Sequence, residues 1–344
     1  MKGLVARLQD HAVRHSHELL KHVPGVREGD PDAIHDARVA TRRIRAVLEV
    51  MGDGHDDRHA AAAEEMRGLG RALGAARDLD IVVELLEEKI WQVPDAARAV
   101  VGLSRGALHE RALARRELIK TIERSPLDDF AASAFRPSRV WRSGASRSIE
   151  TSLRQRLHKQ STKLTDAVDH ASGVYFPNRA HQVRIHTKRL RYLVELASTT
   201  TRPRDDRELT ALKRVQSVLG DLHDRELLLK RLDEGGAQGT EIDTLRQRVI
   251  AERDDLFKDY LSRRDDLREV SDSIRRRTVA TTRNWMPMAV LLAVPSALVI
   301  GLASRSKVRA FVQRAPMGRP SESGRRDPAR GPWSRGDLHP RPAP

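Results

Sequence analysis

Apolar residues recur at intervals of three and four along almost the whole stretch from Met1 to Arg277. That period places one apolar stripe on a helix, and alternation of the kind a strand needs is missing. The stripes are interrupted at 24–31, 51–58, Pro94, Pro126, 135–146, 173–178, 199–206 and 235–239, each rich in Gly, Pro, Ser or Asp. The pattern predicts an all-α chain of successive helices joined at these breaks.

The pattern also repeats. Ile34-His35-Asp36-Ala37-Arg38-Val39-Ala40-Thr41-Arg42-Arg43-Ile44-Arg45 aligns with Ala180-His181-Gln182-Val183-Arg184-Ile185-His186-Thr187-Lys188-Arg189-Leu190-Arg191 at a shift of 146. The same shift carries Glu49 onto Glu195 and Leu73-Gly74-Ala75-Ala76-Arg77-Asp78 onto Leu219-Gly220-Asp221-Leu222-His223-Asp224. One offset that aligns two separated motifs without a gap predicts two tandem helical bundles, residues 1–140 and 141–280, with the boundary in the loop 135–146.

On a helical wheel His35, Arg38, Arg42, Arg45 and Glu49 share one stripe, opposite Ala37, Ala40, Ile44, Val47, Leu48 and Met51. The second copy puts His181, Arg184, Lys188, Arg191 and Glu195 on a stripe, with Val183, Leu190, Leu193 and Val194 toward the core. Arg43 and Arg189 stand at the stripe's edge. Basic groups at such spacing repel along about 15 Å of helix, a cost that a counter-anion offsets. Arginine forks meet phosphate oxygens in pairs, and histidine adds charge below about pH 6.5. Two such rows facing a shared cleft would suit a linear, phosphate-rich polyanion. The plainer account of any single stripe is a solvated helix face with Arg45 paired to Glu49. The recurrence in both halves favours the cleft. Arg77 and His223, each followed by an acid, could extend it, Arg67 aligns with Lys213, and Gly74 and Gly220 could allow close helix approach.

Composition narrows the chemistry. Cysteine is absent from the 344 residues, which removes disulfides, thiolate metal sites and cysteine nucleophiles. The net charge of +15 favours anionic partners. From Arg305 to Pro344, nine Arg and one Lys stand against three acids, so +7 of the excess lies in an Arg/Pro-rich tail, 305–344, expected to be disordered. Residues 284–304 form an uncharged run of 21, near the ~20 needed to span a bilayer. A buried helix or an interfacial hairpin is the other reading of that run. Met1–Asp10 carries no apolar run, so the expected location is the cytoplasm, at the inner face of the cell membrane if 284–304 anchors the chain. His11 with His15, and His55 with His59, have metal-ligand spacing, but histidine pairs on surface helices are common and no metal or cofactor is expected. No P-loop, dinucleotide-binding glycine fingerprint or nucleophile elbow occurs.

The paired motifs resemble the CHAD domain, the conserved-histidine α-helical domain. The likeness lies in His35-x-x-Arg38-x-x-x-Arg42-Arg43-Ile44-Arg45, Ala76-Arg77-Asp78-Leu79-Asp80, His181-x-x-Arg184-x-x-x-Lys188-Arg189-Leu190-Arg191 and Leu219-Gly220-x-Leu222-x-Asp224, and covers about residues 5–277. The resemblance implies two tandem four-helix bundles related by a pseudo-twofold and a basic groove that binds inorganic polyphosphate, with polyphosphate granules as a further partner. Some members sit beside a triphosphatase domain with an E-x-E-x-K strand. That motif is missing here, so its activity is not implied. The expected contacts are His35, Arg38, Arg42, Arg43, Arg45, Arg77, His181, Arg184, Lys188, Arg189, Arg191 and His223. Two other functions stay open: nucleic-acid binding through the same rows and the tail, and a phosphohydrolase or phosphotransferase using His35 or His181. Low aromatic content weighs against a stacking platform for single strands. Glu49 and Glu195 lie two turns or more from the histidines, which weighs against a metal-assisted enzyme.

Overall fold

In a computed structural model the described residues are 3–52, 57–135, 145–200, 206–235 and 239–283. Among them the chain forms ten α-helices and one 3-10 turn, and no strand. The helices are α1 (Leu4–Glu28), α2 (Pro31–Met51), α3 (Asp57–Gln92), α4 (Ala97–Arg124), α5 (Leu127–Ala134), α6 (Ala145–His170), α7 (Pro177–Thr200), α8 (Asp206–Glu234), α9 (Thr240–Ser262) and α10 (Arg264–Arg283), with the 3-10 turn at Pro94–Ala96. The expected loop between the halves, residues 136–144, lies outside the described residues, as do the apolar run 284–304 and the tail 305–344. No helix among the described residues is long and apolar enough to cross a membrane.

Local chemistry sets the entry to α2. Gly29 ends α1 in the left-handed region at φ 78°, which a side chain would resist. Asp30 then caps α2, its carboxylate accepting from the Asp32 amide at 3.0 Å, and Pro31 takes the first helical position, where a missing N–H costs nothing. A Cβ added at Gly25 would lie 2.7 Å from the Ala33 Cβ, so the end of α1 lies tightly on the start of α2. α7 also opens on proline, at Pro177, 146 positions after Pro31.

One break read from the sequence starts later in the structure, and one break of the structure was not read from the sequence. Pro24 stands inside α1 rather than ending it. It lies within the last turns, so the helix loses one backbone hydrogen bond there and continues to Gly29. Conversely, the chain stops between α9 and α10 at Arg263, without Gly or Pro to announce it. Each half thus adds a fifth helix, short α5 or longer α10, to its four.

The buried side chains form two clusters. One joins α1, α2, α5, α6, α7 and α10 to parts of α3, α4, α8 and α9, with Ile34, Ile44, Leu48, Leu164, Leu190 and Leu212 fully buried. The other lies among α3, α4, α8 and α9 around Leu86, Val100, Leu228 and Leu245. Both draw side chains from each half of the sequence. The apolar stripe of α2 (Ala37, Ala40, Ile44, Val47, Leu48, Met51) faces the first cluster throughout. On α7, Val183, Leu190 and Val194 do the same, but Leu193 is only half-buried and lines a cleft.

Candidate functional site

α2 packs against α7 and against α6, so the stripe of each half lies near the other. Arg38 and Arg42 of α2 stand close enough to Arg184 and Lys188 of α7 to repel them. Burial sharpens that repulsion, because a charge removed from water is screened less. Burial, then Arg184, Arg42 and Arg38, pushes the Lys188 ammonium down to about 6, with Asp224 opposing. Burial and Arg42 lower Arg38 to about 10, against the pull of Asp78. Arg184 is only 9% exposed, and burial lowers it too, with Asp224 opposing.

Two acids temper this centre. The Asp78 carboxylate lies 3.9 Å from the Arg38 guanidinium, and Asp224 faces Arg184. The acids are placed by α3 and α8, where each follows Arg77 or His223. A Cβ at Gly74 would lie 3.4 Å from Arg38 Nη2, so the glycine makes room for an arginine head rather than for a neighbouring backbone. Nothing lies within 4 Å of a Cβ added at Gly220, so the close approach expected there does not occur. The His181 and His223 rings lie 5.5 Å apart beside the same centre. Burial first, then Arg184, His181, Lys188 and Arg38, pulls His223 down to about 3.

From this centre a cleft of about 530 Å³ opens toward α6. Among the described residues nine basic side chains line it against one acid, Glu49. Arg42, Arg45, Arg184, Lys188 and Arg189 come from the expected rows, and Arg67 comes from α3. Arg156, Lys159 and Lys163 of α6 were not anticipated. Their spacing of three and four, Arg156-x-x-Lys159-x-x-x-Lys163, is the signal that was there to be read. The 146 shift maps them onto Asp10, Val13 and His17, so a search confined to repeated motifs passes over them. Glu49 is shared by Arg45 at 3.3 Å and Arg156 at 3.6 Å.

Arg43, Arg191 and the two helix-start histidines do not line the cleft. Arg43 and Arg191 meet at Glu195, at 3.7 and 2.6 Å, and Arg191 also stacks over Tyr192 at 4.3 Å. Arg43 faces His11 and His15 of α1, so this pair belongs to the α1 side and not to the cleft. His35 and His181 are exposed at their helix starts, and His35 feels Arg77 most strongly after its own burial. His11 and His15 pack edge to face at 4.4 Å, and His15 Nδ1 lies 2.5 Å from Glu18. Among the described residues no group of three or more His, Asp or Glu side chains is arranged to hold a metal, and His55 lies outside them.

The family model described as the CHAD domain matches residues 11–233. The chain belongs to the CHAD domain family. A CHAD domain crystal structure from the plant Ricinus communis superposes with a TM-score of 0.57 at 21% identity, over 78% of this chain and 92% of that one. PptA from Streptomyces chartreusis superposes with a TM-score of 0.56 at 17% identity, over 80% of this chain and all of that one. These likenesses concern the fold. An uncharacterized protein of Mycobacterium tuberculosis (strain CDC 1551 / Oshkosh) is 26% identical over 214 residues, 58% of this chain and 39% of the relative. The chain thus spans about two fifths of that relative's length. In this CHAD domain the motifs that carry the resemblance converge on the α2–α7 centre, while the longest basic wall of the cleft comes from α6.

Proposed function

We propose that the chain binds inorganic polyphosphate in the cleft among α2, α6 and α7, as a binding module rather than an enzyme. The observation that carries this is charge held against its own repulsion. Among the described residues nine basic side chains face one acid, and burial, then three neighbouring arginines, pushes Lys188 down to about 6. Such an arrangement costs stability when empty and is relieved by a ligand with many closely spaced negative charges. The Nε–H of Arg38 and of Arg184 is buried without an acceptor among the described residues, and phosphate oxygens are suited to serve them. Membership of the CHAD family points the same way. Arg38, Arg42, Arg184 and Lys188 form the centre of the site, with Arg45, Arg189, Arg156, Lys159 and Lys163 along its wall.

The test is binding of long-chain polyphosphate to the full chain, compared with a variant carrying Ala at 38, 42, 184 and 188. The variant is expected to lose binding while keeping its helical circular dichroism. Retained affinity refutes the reading. RNA of matched charge is expected to displace the ligand poorly, with the salt concentration held fixed because both interactions depend steeply on ionic strength. Equal displacement would mark the rows as a generic basic surface. Unchanged polyphosphate length after incubation with Mg²⁺ is the outcome expected of a binding module.

A further inference from the structure

Lys163 borders two cavities. Besides the cleft, it lines a recess of about 390 Å³ between the C-terminal half of α6 and the start of α7. His170, Arg179 and His186 also border this recess, and Asp166 is its one acid. The wall between the two cavities is a hydrogen-bonded pair. Gln160, which lines the cleft, donates from Nε2 to Nδ1 of His186 at 2.8 Å, and His186 lines the recess. With Nδ1 accepting, the neutral His186 ring carries its proton on Nε2, which leaves a donor at that atom. Arg179 is fixed by its hydrogen bond to the His170 carbonyl at 3.1 Å and by stacking on Phe176 at 4.3 Å. It holds its guanidinium without an acidic partner at hydrogen-bond distance among the contacts of the described residues.

The extension is one-sided. Arg156, Lys159, Lys163 and His170 follow one stripe of α6, spanning about 20 Å at 1.5 Å per residue. The shift of 146 places Asp10, Val13, His17 and Pro24 at the matching positions of α1, and Ala33 and Ala40 opposite Arg179 and His186. A polyanion leaving the centre therefore finds a row of basic side chains along α6, where the matching positions of α1 offer His17 alone.

We infer that the anion site continues past Lys163 into the α6–α7 recess, so that the protein favours polyphosphate chains long enough to occupy both cavities over tripolyphosphate. This rests on the polyphosphate reading of the cleft, which supplies the near end of the path. Asp166 opposes the ligand within the recess, and Arg179 joins Lys163 in supplying its lasting positive charge.

The experiment titrates the full chain with tripolyphosphate and with long-chain polyphosphate over a salt series, using Arg179→Gln and Asp166→Asn. Arg179→Gln is expected to weaken long-chain binding by about 3- to 10-fold and to reduce the log–log salt slope by about 0.7, the value for one phosphate contact on a flexible strand. Tripolyphosphate affinity is expected to stay unchanged. Asp166→Asn is expected to tighten long-chain binding alone, a gain that damage to the fold would not produce. The inference is overturned if both variants leave long-chain affinity and slope unchanged, or if they shift both ligands equally. Either result leaves the cleft reading standing. Failure of the wild-type chain to bind either ligand overturns the cleft reading and the extension with it.

Discussion

Lys188→Arg separates a titrating cation from a fixed one at the centre of the cleft. In the empty protein burial and the three neighbouring arginines bring Lys188 from an ordinary 10.5 to about 6. At pH 7.5 about 3% of the molecules then carry that charge. A bound polyphosphate supplies the missing counter-charge and returns the group toward its ordinary value, so binding draws about one proton from solution. The sign follows from that uptake. Affinity falls as pH rises above 6, by up to about tenfold per pH unit, until the pKa of the complex is reached. Between pH 6.5 and 8.5 the loss from this group is on the order of 50-fold. Arginine stays charged over the whole range, so the variant is expected to lose this part of the pH dependence. Isothermal titration calorimetry in buffers of different ionisation enthalpy counts the protons. The wild-type chain is expected to take up about one more than Lys188→Arg at pH 7.5. His181 and His223 are common to both proteins and cancel in the difference. Equal proton uptake would refute the account of Lys188 as an ammonium held neutral by its neighbours.

Three further outcomes are expected. His223 is pulled to about 3 by burial and the neighbouring cations, below an ordinary 6.5. The unfolded chain therefore binds a proton that the folded one refuses between those values, and the stability His223 contributes is present above pH 6.5 and lost as pH falls toward 3. Thermal melts should show this loss, and His223→Gln should flatten it. Ile44 is fully buried on the core face of α2, and Ile44→Ala should cost about 2–5 kcal/mol in chemical denaturation. Fractionation of the full chain against a truncation after residue 283 separates the two readings of the uncharged run 284–304, since release from membranes on truncation is expected of an anchor and no change of a buried helix.

Much of the fold was legible because the core faces of α2 and α7 follow the helical period without exception until Leu193. That residue keeps its place on the wheel, but α6 leaves a cleft beside it, and no periodicity within one helix reports the distance to another. Pro24 misled for a local reason. A proline signals a broken hydrogen bond, and near a helix end a single missing bond is tolerated. The stop at Arg263 had no Gly or Pro beside it, and its local mark is the acidic first turn of α10, Asp265 and Asp266.

The site divided along the same line. Arg38, Arg42, Arg184 and Lys188, which the structure brings together, were legible because basic residues recur there at one offset. Arg43 and Arg191 share that recurrence, yet their guanidiniums meet at Glu195 on the α1 side. Arg156, Lys159 and Lys163 lack the recurrence and supply a wall of the cleft.

Helical class, the two matched stripes and the basic character of each belong to the sequence itself, because they arise from interactions between residues three and four positions apart. Which stripe residues face one another, that burial and three arginines push the Lys188 ammonium down, and that α6 lines the cleft are decided only in three dimensions. Desolvation and charge repulsion depend on distances between α2, α6, α7 and α8, and those distances are set by how the shared core packs.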